Sequence, residues 1–188
     1  MSPAEMIAWV MTWPMLLDGT PHADPATRHP IKRPAFAALA FVTAADEHIA
    51  DRTKKGLPAA APELYVAFLD VFAARESGYR VDLAGDCPGM PAGDPHCTVA
   101  LGAKSYGAWQ TPVAMTPKST SAGKQALAVA QAKVALDILD VSMAACPSHP
   151  IAMYMSGRCV ALGAMREGEI ATQMATPLPS SSSAAGSP

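Results

Sequence analysis

A carboxylate closing an apolar run is the first residue of this chain that can do chemistry. In FAARESGYRVDLAGDC, from Phe72 to Cys87, aromatic and aliphatic residues lead to Glu76, and Ser77-Gly78-Tyr79 follow at once. A carboxyl there lies near the negative pole of a helix dipole and beside apolar side chains. Both effects disfavour its charged form. A carboxylic acid that keeps its proton near neutral pH can act as a general acid. Arg75 and Arg80 pull the other way wherever their guanidiniums reach it. An ordinary exposed helix-terminal glutamate is the plain alternative. Asp82, Asp86 and Asp94 lie in the loop beyond. A two-carboxylate glycosidase needs its second carboxyl at about 5–5.5 Å for retention or 6.5–9.5 Å for inversion. One of these aspartates could supply it, although aspartates beside glycine and proline commonly form turns.

Other chemistries find less support. There is no G-x-S-x-G, no phosphate loop and no dinucleotide fingerprint. The cysteines at 87, 97, 146 and 159 show no C-x-x-C spacing, which argues against a zinc ribbon. Four cysteines allow three pairings, and neighbours in sequence would join Cys87 to Cys97 and Cys146 to Cys159. Free buried thiols, or a metal held by Cys87, His96, Cys97 and His149, are the alternatives. The remaining histidines, His22, His29 and His48, are scattered and read as surface or internally satisfied residues. No metal or cofactor is expected.

The elements that must position Glu76 are mostly helical. Half of the 188 residues are hydrophobic, only 16% are charged, and the net charge is −2. That balance excludes a broad nucleic-acid footprint. Residues 3–17 read as a first helix, interrupted at Pro14, and 18–33 as a polar connector. A second helix starts with Pro34 at its first position and runs to about Arg52. Pro62 opens a third, in which Leu64, Tyr65, Phe68, Leu69, Val71 and Phe72 recur at three- and four-residue steps. Gly78 is its stop. Residues 77–120 hold no long periodic run. An irregular stretch of that length is usually functional or stapled, and CTVAL within it reads as a short strand. The longest helix signal spans roughly 122–145. A short helical piece in PSHPIAMYMSG and a weaker last helix follow. The N-terminal apolar run is too short to span a membrane and carries Glu5, so neither a membrane span nor a signal peptide is expected.

Three segments recur in order: ESGY at 76–79, SYGAWQTP at 105–112 and AMYMSG at 152–157. Across residues 60–160 this pattern resembles the lytic transglycosylase domain of the lysozyme superfamily. Glu76-Ser77 matches the family's glutamate-serine pair at a helix end. Gly107-Ala108-Trp109-Gln110 matches a Gly-Leu-Met-Gln-like turn, and Ala152 to Gly157 matches an Ala-Tyr-Asn-Ala-Gly-like segment, with Met155 where the family has asparagine. The resemblance implies a mostly α, lysozyme-like (α+β) fold with a small irregular or β lobe beside a cleft. It implies peptidoglycan glycan strands as substrate, cleaved at the β-1,4 bond from N-acetylmuramic acid to N-acetylglucosamine. Glu76 would be the catalytic acid and base. Ser77, Gly107 and Gln110 would line the sugar site, Tyr154 would hold Glu76 or an acetamido group, and Tyr106 and Trp109 could stack on sugars. Packing in the core is the other role open to Trp109. A muramidase using Glu76 and a loop aspartate, and a non-catalytic virion component keeping the fold, are the competing expectations.

The expected organisation is an N-terminal helix and connector over 1–33, a catalytic domain over 34–172 and a disordered Ser/Pro-rich tail over 173–188. The expected setting is periplasmic, extracellular or virion-associated, within a larger assembly such as a phage tail or secretion apparatus.

Overall fold

The computed structural model describes residues 1–14, 16, 30–91, 94, 96–156, 158–159 and 164–178. Most of the expected connector, the glycine at 157 and the end of the tail lie outside the described residues.

The protein is mostly helical with one small antiparallel sheet. Helix α1, Pro3–Thr12, starts at a reciprocal cap in which the Ser2 N–H donates to Glu5 Oε2 at 2.7 Å and the Glu5 N–H donates to Ser2 Oγ at 3.3 Å. It ends at Thr12 rather than running to residue 17. Trp13 turns extended because a residue before proline is pushed out of the helical region. Helix α2 is Ala35–Lys54, with Pro34 just outside it as the N-cap. Helix α3 is Pro62–Ser77, and α4 is Gly123–Ala145. Two shorter helices follow, α5 at Ala152–Ser156 and α6 at Ala164–Met174.

Helix α3 is the axis of the fold. Every residue from Tyr65 to Ala74 is buried, as expected of a helix surrounded by others. Helices α2, α4 and α6 pack around it, and α1 packs on α2. Alanines at 37, 38, 40, 44 and 45 on α2, and at 128, 132 and 135 on α4, are buried, and α2 and α4 pack against each other. Met6, Trp9, Val10 and Trp13 belong to the same core. The Trp9 indole N–H donates to Thr176 O at 2.7 Å, so the residues just past α6 close onto α1. Helix α6 extends two residues beyond 172, and Gln173 is buried.

Two buried carboxylates lock the helices together. Asp70, in the middle of α3, receives Arg33 Nε and Nη2 at 2.6 Å each, Tyr79 Oη at 2.8 Å and Gln173 Nε2 at 2.7 Å. Asp140 of α4 receives Arg52 Nη1 at 2.6 Å and Tyr65 Oη at 2.6 Å, and lies 2.7 Å from His48 Nε2. A buried charge of this kind is tolerated only when paired and hydrogen-bonded.

The segment between α3 and α4 folds into a lobe. Strands β1 (Ala84–Gly85), β2 (Ser105–Tyr106) and β3 (Thr111–Pro112) form an antiparallel sheet in that order, with Tyr106 opposite both Ala84 and Thr111. CTVAL is not a strand. Val99–Leu101 is a 3₁₀ turn, begun by Thr98 Oγ1 accepting the Leu101 N–H at 3.3 Å. That local bond competes with any ladder. Cys87 is bonded to Cys97 and Cys146 to Cys159. No thiol is left for a metal.

A candidate active site at the end of the third helix

Helix α3 stops abruptly behind Glu76. Gly78 has φ +60° and its N–H caps Ala73 O and Ala74 O. Tyr79 continues in the left-handed region at φ +67°, with its N–H on Ala73 O at 2.8 Å. Asp86 at +56° and Gln110 at +47° complete the non-glycine residues with positive φ among those described. Tyr79 lies three residues from Glu76, and Asp86 is close enough for its charge to act on it. Gln110 closes the turn that packs against Ser77. Such conformations cost roughly 1–2 kcal/mol each and cluster where the surroundings impose them, often at functional sites.

Glu76 is partly buried. Burial pushes its carboxyl above the ordinary value, the Arg166 charge pulls it down, and Asp86 pushes it up again. The net effect favours the protonated form more than in an ordinary glutamate, the direction a general acid requires.

The three segments read from the sequence meet here. Ser77 Oγ lies 2.9 Å from Ala108 O and 3.1 Å from Ala73 O, and accepts the Arg80 N–H at 3.0 Å. This ties the end of α3 to the β2–β3 turn. Tyr154 of α5 donates from Oη to Trp109 O at 2.9 Å and stands edge-on to Phe68 and Phe72 of α3. Burial, and then the Glu76 charge, push its phenol well above the usual range, so it stays neutral beside the carboxyl. The Cys146–Cys159 bond encloses α5 and so confines Tyr154.

The turn is braced from below. Gly107, at φ +83°, leaves room for Gln131 of α4, where a Cβ would come within 2.4 Å of Oε1. Gln131 Oε1 accepts the Ala108 N–H at 3.1 Å, and its Nε2 donates to Val81 O and Pro117 O at 2.8 Å each. No feature of α4's sequence pattern distinguishes Gln131 from Gln125, the helix's other glutamine, so sequence reasoning missed it.

No family model, curated protein or solved structure matches the chain.

Several residues expected to face a sugar are occupied inside the protein. Trp109 is only 1% exposed and its indole N–H donates to Leu69 O at 2.9 Å. It is a core residue, not a stacking platform. Gln110 Nε2 donates to Leu83 O at 3.1 Å and Gly107 O at 2.9 Å, and its Oε1 lies 2.8 Å from Ser105 Oγ. The amide holds the sheet together rather than projecting into solvent. Ser77 is similarly engaged. Tyr106 is the exception: it is half-buried over the Cys87–Cys97 cluster, and its phenol is raised by burial and by the Asp82 charge. Of the loop aspartates, Asp86 acts on Glu76, while Asp94 accepts the His96 N–H at 2.8 Å and forms a turn.

An open groove of about 570 Å³ lies elsewhere, between Thr43 and Glu47 of α2 and Gln125 to Lys133 of α4. An apolar pocket of about 300 Å³ is walled by Leu64, Leu139, Ile151 and Ile170. Neither includes Glu76.

Proposed function

We propose that this protein is a lysozyme-like, glycan-cleaving enzyme, a lytic transglycosylase acting on peptidoglycan with Glu76 as its single acid and base. The observation that carries the reading is the convergence on Glu76 of the three segments that resemble the family, through the Ser77–Ala108 and Tyr154–Trp109 bonds. The small antiparallel lobe that follows the helix of the acid supports the lysozyme-like reading of the fold.

In this mechanism Glu76 gives its proton to the glycosidic oxygen between N-acetylmuramic acid and N-acetylglucosamine, and the C1–O4 bond breaks. The carboxylate then takes the proton from the muramic 6-hydroxyl as that oxygen bonds to C1. The product carries a 1,6-anhydro ring, and Glu76 ends protonated as it began. No water is consumed. Burial favours the first step, since it raises the share of Glu76 that carries a proton at a given pH. Tyr154 supplies a neutral phenol whose titration the Glu76 charge influences.

One observation favours a second reading. The Asp86 charge reaches Glu76, and Asp86 is held in a left-handed conformation with its Oδ2 2.7 Å from Ser105 Oγ. Asp86 could serve as the partner carboxylate of a hydrolase.

The two disulfides fit a protein that works in an oxidising compartment. No described helix is long and apolar enough to cross a membrane. Periplasmic, extracellular or virion-associated action on the wall, as part of a larger assembly, is the setting that agrees with this.

The test is digestion of purified peptidoglycan by the wild type and by Glu76→Gln, with the muropeptides read by mass spectrometry. Products lighter by one water than reducing-end fragments, and absent with the variant, are the expected result. Reducing ends would identify a hydrolase and direct attention to Asp86. No soluble product from the wild type would leave a non-catalytic component that keeps the architecture.

A further inference from the structure

We infer that the apolar pocket between α4 and α6 is a binding site for a small apolar amine, whose ammonium group pairs with Glu167. The site stands apart from the proposed chemistry, since Glu76 is no part of its lining.

Helical spacing builds the walls. Helix α4 contributes Leu139 and Met143, four residues apart, and α6 contributes Glu167, Ile170 and Met174 at steps of three and four. Ile151, just ahead of α5, lines the pocket as well. Leu139, Ile151 and Ile170 are buried in the main core, whereas Met174 is 38% exposed. The pocket therefore reaches from the core to the surface. Its volume of about 300 Å³ suits one small molecule. The α6 wall from Glu167 to Met174 is two helical turns, roughly 10 Å long. That is too little to seat a partner protein, which buries about 800 Å² on each side of a stable interface.

Glu167 is the one charged side chain in this lining among the described residues. Its place in the first turn of α6 suits the helix dipole. Its oxygens are turned to other partners. Oε1 accepts the Ile151 N–H at 3.4 Å, and no hydrogen bond reaches Oε2 among the described residues. His149 Nδ1 lies 3.9 Å from Oε2, too far for a hydrogen bond. That nitrogen is itself buried and has no hydrogen-bond partner among the described residues. A carboxylate set among apolar side chains is best matched by a donor that carries its own apolar body. A primary ammonium has three N–H donors and can engage Oε2 while its hydrocarbon covers Leu139, Met143 and Ile170. A purely apolar ligand would desolvate Oε2 and leave it unpaired, and an anionic one would be repelled.

The test titrates the full chain, labelled with ¹³C at its methionine methyl groups, with cyclohexylmethylamine. Cyclohexylmethanol and cyclohexanecarboxylate are the neutral and anionic controls, and Met143→Leu and Met174→Leu assign the two signals. The amine is expected to move the Met143 and Met174 methyls saturably and to leave Met11 and Met115, outside the pocket, in place. It should also raise the thermal midpoint as its concentration rises. The alcohol should bind about tenfold more weakly, because it lacks the charge-assisted hydrogen bond, and the carboxylate should not bind. Glu167→Gln keeps an acceptor for the Ile151 N–H and should bring the amine down to the affinity of the alcohol. Ala171→Trp, which fills the pocket, should abolish both. No saturable shift at millimolar amine, an alcohol that binds equally well, or an amine preference that survives Glu167→Gln each overturns the inference. Methyl shifts that follow protein concentration without amine would show that a second copy covers the pocket, and overturn it too. Should Ala171→Trp fail to fold, the alcohol comparison and Glu167→Gln still decide it.

Discussion

The Tyr154 hydroxyl donates to the carbonyl of Trp109 at 2.9 Å, joining residues 45 positions apart. Through this bond α5 is seated against the turn that also carries the Ser77 contact, and both flank Glu76. Removing the hydroxyl while keeping the ring separates its role from packing. Tyr154→Phe should retain the edge-on contacts with Phe68 and Phe72 and lose about 1–2 kcal/mol of stability in urea unfolding, the cost of a buried unsatisfied carbonyl. Peptidoglycan digestion should fall by about tenfold or more, equivalent to ~1.4 kcal/mol in the barrier. Undiminished digestion would remove Tyr154 from the site.

Glu76 should weaken the fold at neutral pH. Its folded carboxyl titrates above the ordinary value of 4.5, with burial as the main cause. The folded state therefore holds the proton more tightly than the unfolded chain does. That contribution is fully present below 4.5 and is lost as pH rises through the folded value. Glu76→Gln keeps the shape and removes the charge. It should raise Tm at pH 7 by about 2–4 °C, the effect of ~1 kcal/mol in a chain of this size, and give little gain at pH 4. Thermal melts of both proteins at the two pH values check this. An equal gain at both would point to a cause other than ionisation.

The Arg33–Asp70 pair ties the chain ahead of α2 to the centre of α3. Arg33→Ala leaves a buried carboxylate with only Tyr79 and Gln173 as donors, and should cost about 3–5 kcal/mol. Replacing both members by apolar residues, as Arg33→Met with Asp70→Leu, should cost less than the single change. Urea denaturation of the single and double variants measures it. Equal losses would show that the pair's hydrogen bonds, rather than an orphaned charge, set the penalty.

The Cys87–Cys97 bond closes a short loop beside Asp86 and β1. Cys87→Ser with Cys97→Ser should lose about 2–3 kcal/mol, the chain-entropy value for a loop of that length. Digestion should decline further than this stability loss alone explains, because Asp86 and the β1–β2 pairing are anchored there. A fully active double variant would show that the sheet's own hydrogen bonds hold the lobe.

Much of the framework was legible from residue order. Pro62 and Gly78 bracket α3 as read, because one supplies a preset φ and no needed N–H, and the other a left-handed stop. The long alanine-rich stretch became α4, and neighbouring cysteines paired. Short-range signals suffice there, since each feature depends on residues within a turn or a loop. The strands were not legible. Each has two residues, and only the bonds between Ala84, Tyr106 and Thr111 define them. The end of α1 was misplaced because Trp13, ahead of Pro14, leaves the helix before the apolar run does.

The sequence by itself determined the order and type of the helices and singled out Glu76 as a carboxyl in apolar surroundings. Those conclusions need only periodicity, capping and the chemistry of neighbours. Tertiary structure alone decided which side chains are free to act. It spent Trp109 on Leu69, Gln110 on the sheet and Ser77 on the turn, and it brought Arg166 and Asp86 to opposite sides of the balance on Glu76. Burial and charge are properties of what packs around an atom, and the groups around Glu76 come from positions as distant along the chain as Arg166.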